Sequence, residues 1–181
     1  MALTDFITAA NTLGFGKKYN FQVTDITGLP DSIKLDESYL LYVESFVLPS
    51  RKTNTTTVPY KAFDFNVPTN TSFVNSASWR VTFFSDENLL IKELFEKWCD
   101  MLYNPIYNYS DSSLYGDPTY TKPFGDCNLQ LDLKNDNNDT VKTITLYGVF
   151  PVLVEGIEYN VGDAGDTVAR LPITLAYQYF D

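Results

Sequence analysis

Apolar and polar side chains alternate over several short stretches of the chain, which is typical of β-strands with one buried face. In the clearest stretch, 79–84, Trp79, Val81 and Phe83 form one face. The predicted strands lie at 19–26, 38–48, 79–84, 127–133, 141–149, 151–159 and 170–180. In the last of them, one face is expected to carry Leu171, Ile173, Leu175, Tyr177 and Tyr179. The pattern therefore predicts a mainly β fold.

A helical period replaces this alternation at 86–103. Apolar residues recur every three to four positions, at Leu90, Leu94, Trp98 and Leu102, and charged residues occupy the opposite face. The apolar stripe is widened by Ile91, Phe95, Cys99 and Met101. Ser85 or Asp86 precedes this stretch and is a favourable N-cap. The spacing predicts one amphipathic helix packed on a sheet. A second, shorter helix is expected at 4–10.

The remaining segments have the composition of turns and loops. Residues 49–78 are rich in Thr, Asn, Ser and Pro, and we expect two polar loops around a short apolar piece. Residues 134–139 predict a hairpin turn, and 161–166 a flexible Gly-rich connection. Residues 104–126 contain five Tyr or Phe side chains and predict a long, functional surface loop. Without repeats or a linker, we expect one domain over 1–181.

Composition excludes several classes of function. The 181 residues include no His, which rules out Ser-His-Asp catalysis and His-ligated metal sites. A formal net charge of −10 argues against binding of nucleic acid, because affinity for phosphate comes from clustered Lys and Arg. The N-terminal residues lack the pattern of a signal peptide, and no apolar run approaches the ~20 residues of a membrane span. We expect a cytosol-made protein without stable membrane insertion.

The candidate chemical sites are weak. Residues 135–139 offer oxygen ligands for calcium but lack the Gly and the closing Glu of a calcium loop, so a solvated turn is predicted. The carboxylates of Glu155 and Glu158 have no feature that distinguishes them from surface acids. Cys99 and Cys127 are predicted to be buried thiols, with a disulfide as the alternative. We therefore expect no enzyme activity, no cofactor and no metal.

Four stretches together resemble the tail-tube protein family of contractile-tailed bacteriophages. They are YNFQV at 19–23, a strand that ends at Leu48-Pro49, the strand and Trp-bearing helix of 79–102, and ITLYGVF through the terminal YQYFD at 144–181. Their order and spacing match over nearly the full length. The segment 104–126 is longer and richer in Tyr than the family pattern.

The resemblance implies a β-sandwich or barrel-like fold whose sheet joins neighbouring subunits into a hexameric ring. Rings would stack into a hollow tube inside a contractile sheath, and DNA would pass through it into the host. The implied partners are further copies of the chain, the sheath protein, the baseplate tube initiator, the tape-measure protein and the tail terminator. The implied location is the virion, after assembly in the host cytoplasm. The alternatives are a tube initiator or terminator of the same fold, or a β-sandwich module that binds glycans or a receptor.

Two groups of residues are candidates for contacts between subunits. The polar segment after Pro49 is predicted to stack rings through its basic head, and its candidate residues are Arg51, Lys52, Thr53 and Asn54. The alternative is that these are solvated loop charges, worth at most ~1 kcal/mol per exposed pair. The aromatic loop is predicted to face the sheath or a neighbour, and its candidate residues are Tyr107, Tyr109, Tyr115 and Tyr120.

Overall fold

A computed structural model describes residues 20–29, 33–102, 127–159 and 168–181. Within these residues the strands are β1 (Phe21–Thr27), β2 (Val43–Phe46), β3 (Ser50–Tyr60), β4 (Phe63–Val74), β5 (Trp79–Phe84), β6 (Asn128–Lys134), β7 (Thr140–Tyr147), β8 (Phe150–Val154), β9 (Arg170–Ala176) and β10 (Tyr179–Phe180). The helices are α1 (Glu37–Leu40) and α2 (Leu90–Leu102). The mainly β prediction is confirmed. The predicted helix at 4–10 and connection at 161–166 lie outside the described residues.

The strands form three antiparallel sheets. The first has the order β1-β6-β7-β10 and the second the order β2-β5-β9-β8. β3 and β4 pair only with each other, as a long hairpin between β2 and β5. Neither four-stranded sheet closes into a barrel within the described chain, so each has two open edges.

The alternating pattern places the core between the two larger sheets. Trp79, Val81 and Phe83 of β5 are buried, as are Leu129 and Leu131 of β6. Each such apolar side chain contributes roughly 1.5–3 kcal/mol when it is fully removed from water. This burial confirms the predicted strands at 79–84 and 127–133.

Helix α2 completes the core with its aromatic side chains. The ring of Phe95 lies 5.5 Å from that of Phe83 on β5 and 5.9 Å from that of Trp98. The buried residues of the helix are Ile91, Phe95, Trp98 and Met101. All four belong to the predicted apolar stripe, and Leu90 and Leu94 lie at its more exposed margin.

The helix begins at Leu90, four residues after its predicted start. The carboxylate of Asp86 accepts hydrogen bonds from the backbone amides of Leu90 and Ile91, at 2.8 and 3.1 Å. Asp86 thus satisfies amide groups that a helix N-terminus leaves without partners. The predicted capping residue is correct, but it acts across a turn rather than from the adjacent position.

Two predicted segments are wrong. Residues 49–78 form the β3–β4 hairpin instead of polar loops, because Thr and Val favour extended backbone even where both faces contact solvent. The predicted strand at 38–48 is divided into α1, a turn and β2. The apolar run at 38–48 shows neither a clear helical period nor a clear two-residue period. The sequence therefore does not distinguish a helical turn from a strand there.

The last predicted strand is interrupted where the chain moves from one sheet to the other. The amide of Gln178 donates to the carbonyl of Tyr147 at 2.8 Å, which starts β10 beside β7. Leu171, Ile173 and Leu175 share the buried face as predicted, and Tyr177 is also buried. Tyr179 is half exposed on the first sheet, so its predicted place on that face is wrong.

Candidate self-assembly surface

The base of the β3–β4 hairpin is held by the C-terminal strand. The guanidinium of Arg51 donates to the carbonyl oxygen of Phe180 at 2.7 Å. Its central carbon lies 4.8 Å from the ring centre of Phe180 and 5.6 Å from that of Phe73, which is its partner across the hairpin. The hydroxyl of Tyr177 also donates to the carbonyl of Val74 at 3.4 Å. Arg51 therefore joins the hairpin to the body of its own subunit.

The four residues predicted to stack rings lie on a strand, so their placement in a loop is wrong. The side-chain amide of Asn54 donates to the side-chain oxygen of Asn70 at 2.9 Å, across the hairpin. Lys52 and Thr53 are exposed. Arg51 and Asn54 thus stabilise the hairpin, and both charged members of the group, Arg51 and Lys52, are exposed.

Beyond Asn54 the hairpin is exposed on both faces and one face is apolar. Val58 is paired with Phe65 and Tyr60 with Phe63, and directly opposed residues share a face. The rings of Tyr60 and Phe65 lie 6.4 Å apart. We call this surface the hairpin-tip face; its residues are 43–70% exposed, and they are Val58, Tyr60, Phe63, Phe65 and Val67.

The opposite face of the hairpin is polar. Thr57 donates through its hydroxyl to the side-chain oxygen of Asn66 at 3.0 Å, and Asp64 lies two register pairs away on the same face. A two-stranded hairpin without a packed face is marginally stable in water at best. A partner that covers the hairpin-tip face would therefore increase the stability of the hairpin.

Charge is distributed unequally between the hairpin and the rest of the chain. Residues 50–74 contain Arg51, Lys52 and Lys61 but only one acid, Asp64, which gives a formal charge of +2. Because the chain carries −10, the remaining residues carry −12. A basic hairpin on an acidic body is electrostatically complementary to another copy of the same chain.

A second apolar surface lies at one end of the second sheet, where the residues before β2 and after β5 meet. Its side chains line an open depression of about 370 Å³, and they are Leu41, Tyr42, Phe84, Ser85 and Val168. Backbone hydrogen bonds hold its parts together, since Phe84 donates to Tyr42 and Ser85 to Ala169, both at 2.8 Å. We call this surface the apolar depression.

The edges of the sheets form a third exposed surface. β1 and β10 end the first sheet, and β2 and β8 end the second. On β8, Val152 and Leu153 are about half exposed. An open edge can pair with a strand of another chain.

Other chemistry is sparse in the described parts of the chain. The turn at 135–139 is formed by Asn135, whose side-chain oxygen accepts the amides of Asn137 and Asp139 at 2.9 Å each. This confirms the predicted turn. No cluster of three potential metal ligands occurs among the described residues. None of the helices described is long and apolar enough to cross a membrane.

The two thiols do not form the alternative disulfide. Cys127 is buried as predicted, whereas Cys99 is partly exposed on α2, and neither is in a disulfide. Burial, followed by the nearby carboxylates of Asp100 and Glu96, raises the pKa of the Cys99 thiol to about 11. Cys99 is therefore protonated at neutral pH and is a poor nucleophile.

Sequence reasoning missed the hairpin-tip face and the apolar depression. The alternation of Phe63, Phe65 and Val67 was a detectable signal for the first, although the surrounding polar residues obscured it. The depression brings together three segments that are distant in sequence, so no local pattern could reveal it. The predicted aromatic contacts of Tyr107, Tyr109, Tyr115 and Tyr120 lie outside the described residues and stay predictions.

Comparison with known proteins shows which proteins are similar to this chain over most of its length. No curated protein sequence matches it. A chain from the six-fold symmetrised cryo-EM structure of the anti-feeding prophage baseplate has a similar fold, with 15% identity and a TM-score of 0.55. That alignment covers 92% of this chain and 94% of the other.

A chain from the PVC sheath/tube terminator of an extracellular contractile injection system, in its extended state, is similar as well. It has 12% identity and a TM-score of 0.53, with 91% of this chain and 94% of that chain covered. The sequence itself matches the phage tail tube proteins over residues 12–181. Because this match spans nearly the whole length, the chain belongs to the phage tail tube protein family.

Proposed function

We propose that six copies of this chain form a ring and that such rings stack into the hollow tube of a contractile tail. The observation that carries the proposal is the family match over residues 12–181. Membership of the family makes the chain a structural component of a virion tail. In this proposal the whole chain, residues 1–181, serves as one tube domain.

Closure of the ring is supported by the open edges of the two larger sheets. A neighbouring copy can add a strand to an edge such as β8, where Val152 and Leu153 are exposed. A head-to-tail contact of this kind closes into a ring when its rotation allows. The six-fold symmetry of the similar baseplate structure supports six as the number of subunits.

The β3–β4 hairpin supports the stacking of rings. It includes the predicted stacking residues Arg51, Lys52, Thr53 and Asn54, and it carries a positive charge on an acidic subunit. Lys52 is exposed and can face acids of the next ring. Arg51 acts indirectly, because it holds the hairpin base against Phe180.

The proposed conduit carries DNA during ejection into the host. A ring of six subunits has a formal charge of about −60, six times −10. Acidic side chains on the inner wall would repel phosphate groups and limit adhesion of the DNA. The further partners in this proposal are the sheath protein, the baseplate tube initiator, the tape-measure protein and the tail terminator, with assembly in the host cytoplasm.

Electron microscopy of the purified, concentrated protein tests the proposal. We expect hollow rings with six-fold end views and stacks of these rings. Native mass spectrometry of the smallest closed species should give about 123 kDa, six times 20.5 kDa. Closed rings with another copy number would refute the hexamer. A protein that stays monomeric at millimolar concentration and binds on a glycan array would favour the receptor-binding module instead.

A tube initiator or a terminator of the same fold is the second candidate. The similarity to a chain from a sheath/tube terminator structure favours it. The two functions differ in copy number, because a tube subunit is present in many rings and an initiator or terminator in one. Quantitative mass spectrometry of the particle against a sheath subunit separates them: parity with the sheath identifies the tube, and one ring per particle identifies the alternative.

A further inference from the structure

Residues 177–181, which we call the C-terminal strap, join the base of the β3–β4 hairpin to the first sheet. At one end, the amide of Tyr177 donates to the carbonyl of Ser76, just after β4, at 2.8 Å. At the other end, Asp181 and Thr145 exchange two backbone hydrogen bonds of 3.2 Å each. The strap therefore connects two parts of the subunit that are distant in sequence.

The strap also places two phenol rings against each other. Tyr179 is the register partner of Tyr147 on β7, and their ring centres lie 4.6 Å apart with an angle of 12° between the ring planes. This separation is near the lower limit of the ~4.5–7 Å at which aromatic pairs occur. Tyr179 is 50% exposed and Tyr147 is partly exposed, so a small molecule in solution can reach both rings.

A carboxylate lies beside the phenol of one ring. The hydroxyl of Tyr147 donates to the side chain of Asp181 at 3.2 Å. A carboxylate within hydrogen-bond reach of a phenol can accept its proton when the ring loses an electron. Tyr179 is half exposed, so water can accept the proton of the second phenol.

We propose that Tyr147 and Tyr179 form an oxidative cross-linking site, at which a one-electron oxidant joins the two rings as dityrosine and fastens the strap to the first sheet. Peroxidase-activated hydrogen peroxide is an oxidant of the required class. The inference concerns the single subunit and does not depend on the proposed assembly.

The cross-linking step removes two electrons and two protons from the pair. Each tyrosine loses one electron and its phenol proton and becomes a phenoxyl radical. The two radicals form one carbon–carbon bond between the ring positions next to the phenol oxygens. The hydrogen on each of those carbons then moves to the oxygen as a proton, which restores both phenols. The two electrons and two protons that were removed reduce one molecule of hydrogen peroxide to two molecules of water.

Proximity distinguishes this pair from other tyrosines that the structure describes. The ring of Tyr177 contacts that of Phe180, and the ring of Tyr60 contacts that of Phe65. Phenylalanine forms no phenoxyl radical, so these contacts give no dityrosine. Two rings that are already held together also couple faster than rings that must first meet by diffusion.

Photo-oxidation of the full chain at low concentration tests the proposal, with ruthenium tris-bipyridyl as the photocatalyst and persulfate as the final electron acceptor. We expect a product that stays at the 20.5 kDa of one chain, fluoresces as dityrosine and has lost two hydrogen atoms. Mass spectrometry of its peptides should place the link between residues 147 and 179. Tyr179→Phe keeps a stacked ring but removes one phenol, so the yield of intramolecular dityrosine should fall ~10-fold or more.

Tyr159→Phe is the matched control. Tyr159 is 71% exposed, and no tyrosine ring lies against it among the described residues, so this variant should give the yield of the unsubstituted chain. Each change removes one hydroxyl, and circular dichroism checks that both variants fold. Equal yields from Tyr179→Phe and Tyr159→Phe would overturn the proposal. So would a product that links only separate chains, at about 41 kDa, twice 20.5 kDa.

Urea unfolding of the oxidised chain measures the effect of the link. The bond closes a loop of about 30 residues and restricts the unfolded chain as a disulfide does. The oxidised chain should therefore unfold at a higher urea midpoint than the untreated chain, and Tyr179→Phe should show no such increase after the same treatment. Equal midpoints for the cross-linked and untreated chains would show that the strap is not fastened and would overturn the inference.

Discussion

Reversal of one charge at Arg51 and of one at Lys52 should have different consequences, although the residues are adjacent. Both side chains are exposed, but Arg51 contacts Phe180 and Phe73 within its own subunit. Arg51→Glu removes a hydrogen bond worth ~0.5–1.5 kcal/mol and two cation–π contacts of ~0.5–1 kcal/mol each. The variant should lose roughly 1.5–3.5 kcal/mol of the free energy of unfolding, and Lys52→Glu should lose almost none.

Urea unfolding of dilute, unassembled protein measures this difference, and pelleting of concentrated protein measures assembly. A loss of ~2 kcal/mol corresponds to a decrease of about 4–8 °C in the melting temperature of a chain of this size. Lys52→Glu should unfold at the urea midpoint of the unsubstituted chain but assemble poorly. Arg51→Lys is the matched control, because it keeps the charge and loses the planar fork of donors, so an intermediate midpoint is expected.

The reasoning fails if Arg51→Glu and Lys52→Glu unfold at the same urea midpoint. In that case the contacts of Arg51 with Phe180 contribute nothing to the folded subunit. The sequence predicted that Arg51 and Lys52 act together in ring stacking. The structure separates them, because Arg51 stabilises the hairpin base and Lys52 is available to a neighbour.

Three further predictions concern helix α2. Asp86→Ala should lower the free energy of unfolding by ~0.5–2 kcal/mol, because the amides of Leu90 and Ile91 lose their acceptor; an unchanged urea midpoint would contradict the capping role. Trp98→Ala should cost ~3–5 kcal/mol, since the ring is 1% exposed, and a loss below ~1 kcal/mol would show that the core tolerates the cavity. Cys99, with its pKa raised from 9.0 to about 11, should react with iodoacetamide at pH 8 about 100-fold more slowly than an ordinary thiol; comparable rates in native and urea-unfolded protein would refute this.

Strands with one buried face could be predicted from the sequence. In β5 and β6 the requirement to cover one face imposes a two-residue period, and Trp79, Val81, Leu129 and Leu131 carry it. Helix α2 could also be predicted, because it covers one face against the core and this requirement imposes a period of three to four residues. The interruption at Tyr177 was not, because the chain changes sheets there while its side chains stay apolar, so the hydrophobic pattern continues across the break.

The β3–β4 hairpin could not be predicted from burial, because neither of its faces is covered within the subunit. Its Thr residues and the alternation of Phe63, Phe65 and Val67 do indicate extended backbone. The surrounding Asn, Pro and Ser residues dominate the composition and favour a loop interpretation. The site prediction therefore placed Arg51 and Lys52 in a loop, whereas they lie on β3, and it did not include the apolar tip. Their role in ring stacking stays a prediction.

The same feature that made the hairpin difficult to predict explains why it is suited to assembly. A surface that stabilised the isolated subunit would already be buried and would offer nothing to a second copy. The hairpin-tip face instead keeps Phe63 and Phe65 exposed, while Arg51 fixes the hairpin base to the body. Folding thus already orders the hairpin base, so less conformational entropy is lost when a second copy binds. A fixed base and an exposed tip together allow one chain to be a folded subunit and a binding partner for its neighbour.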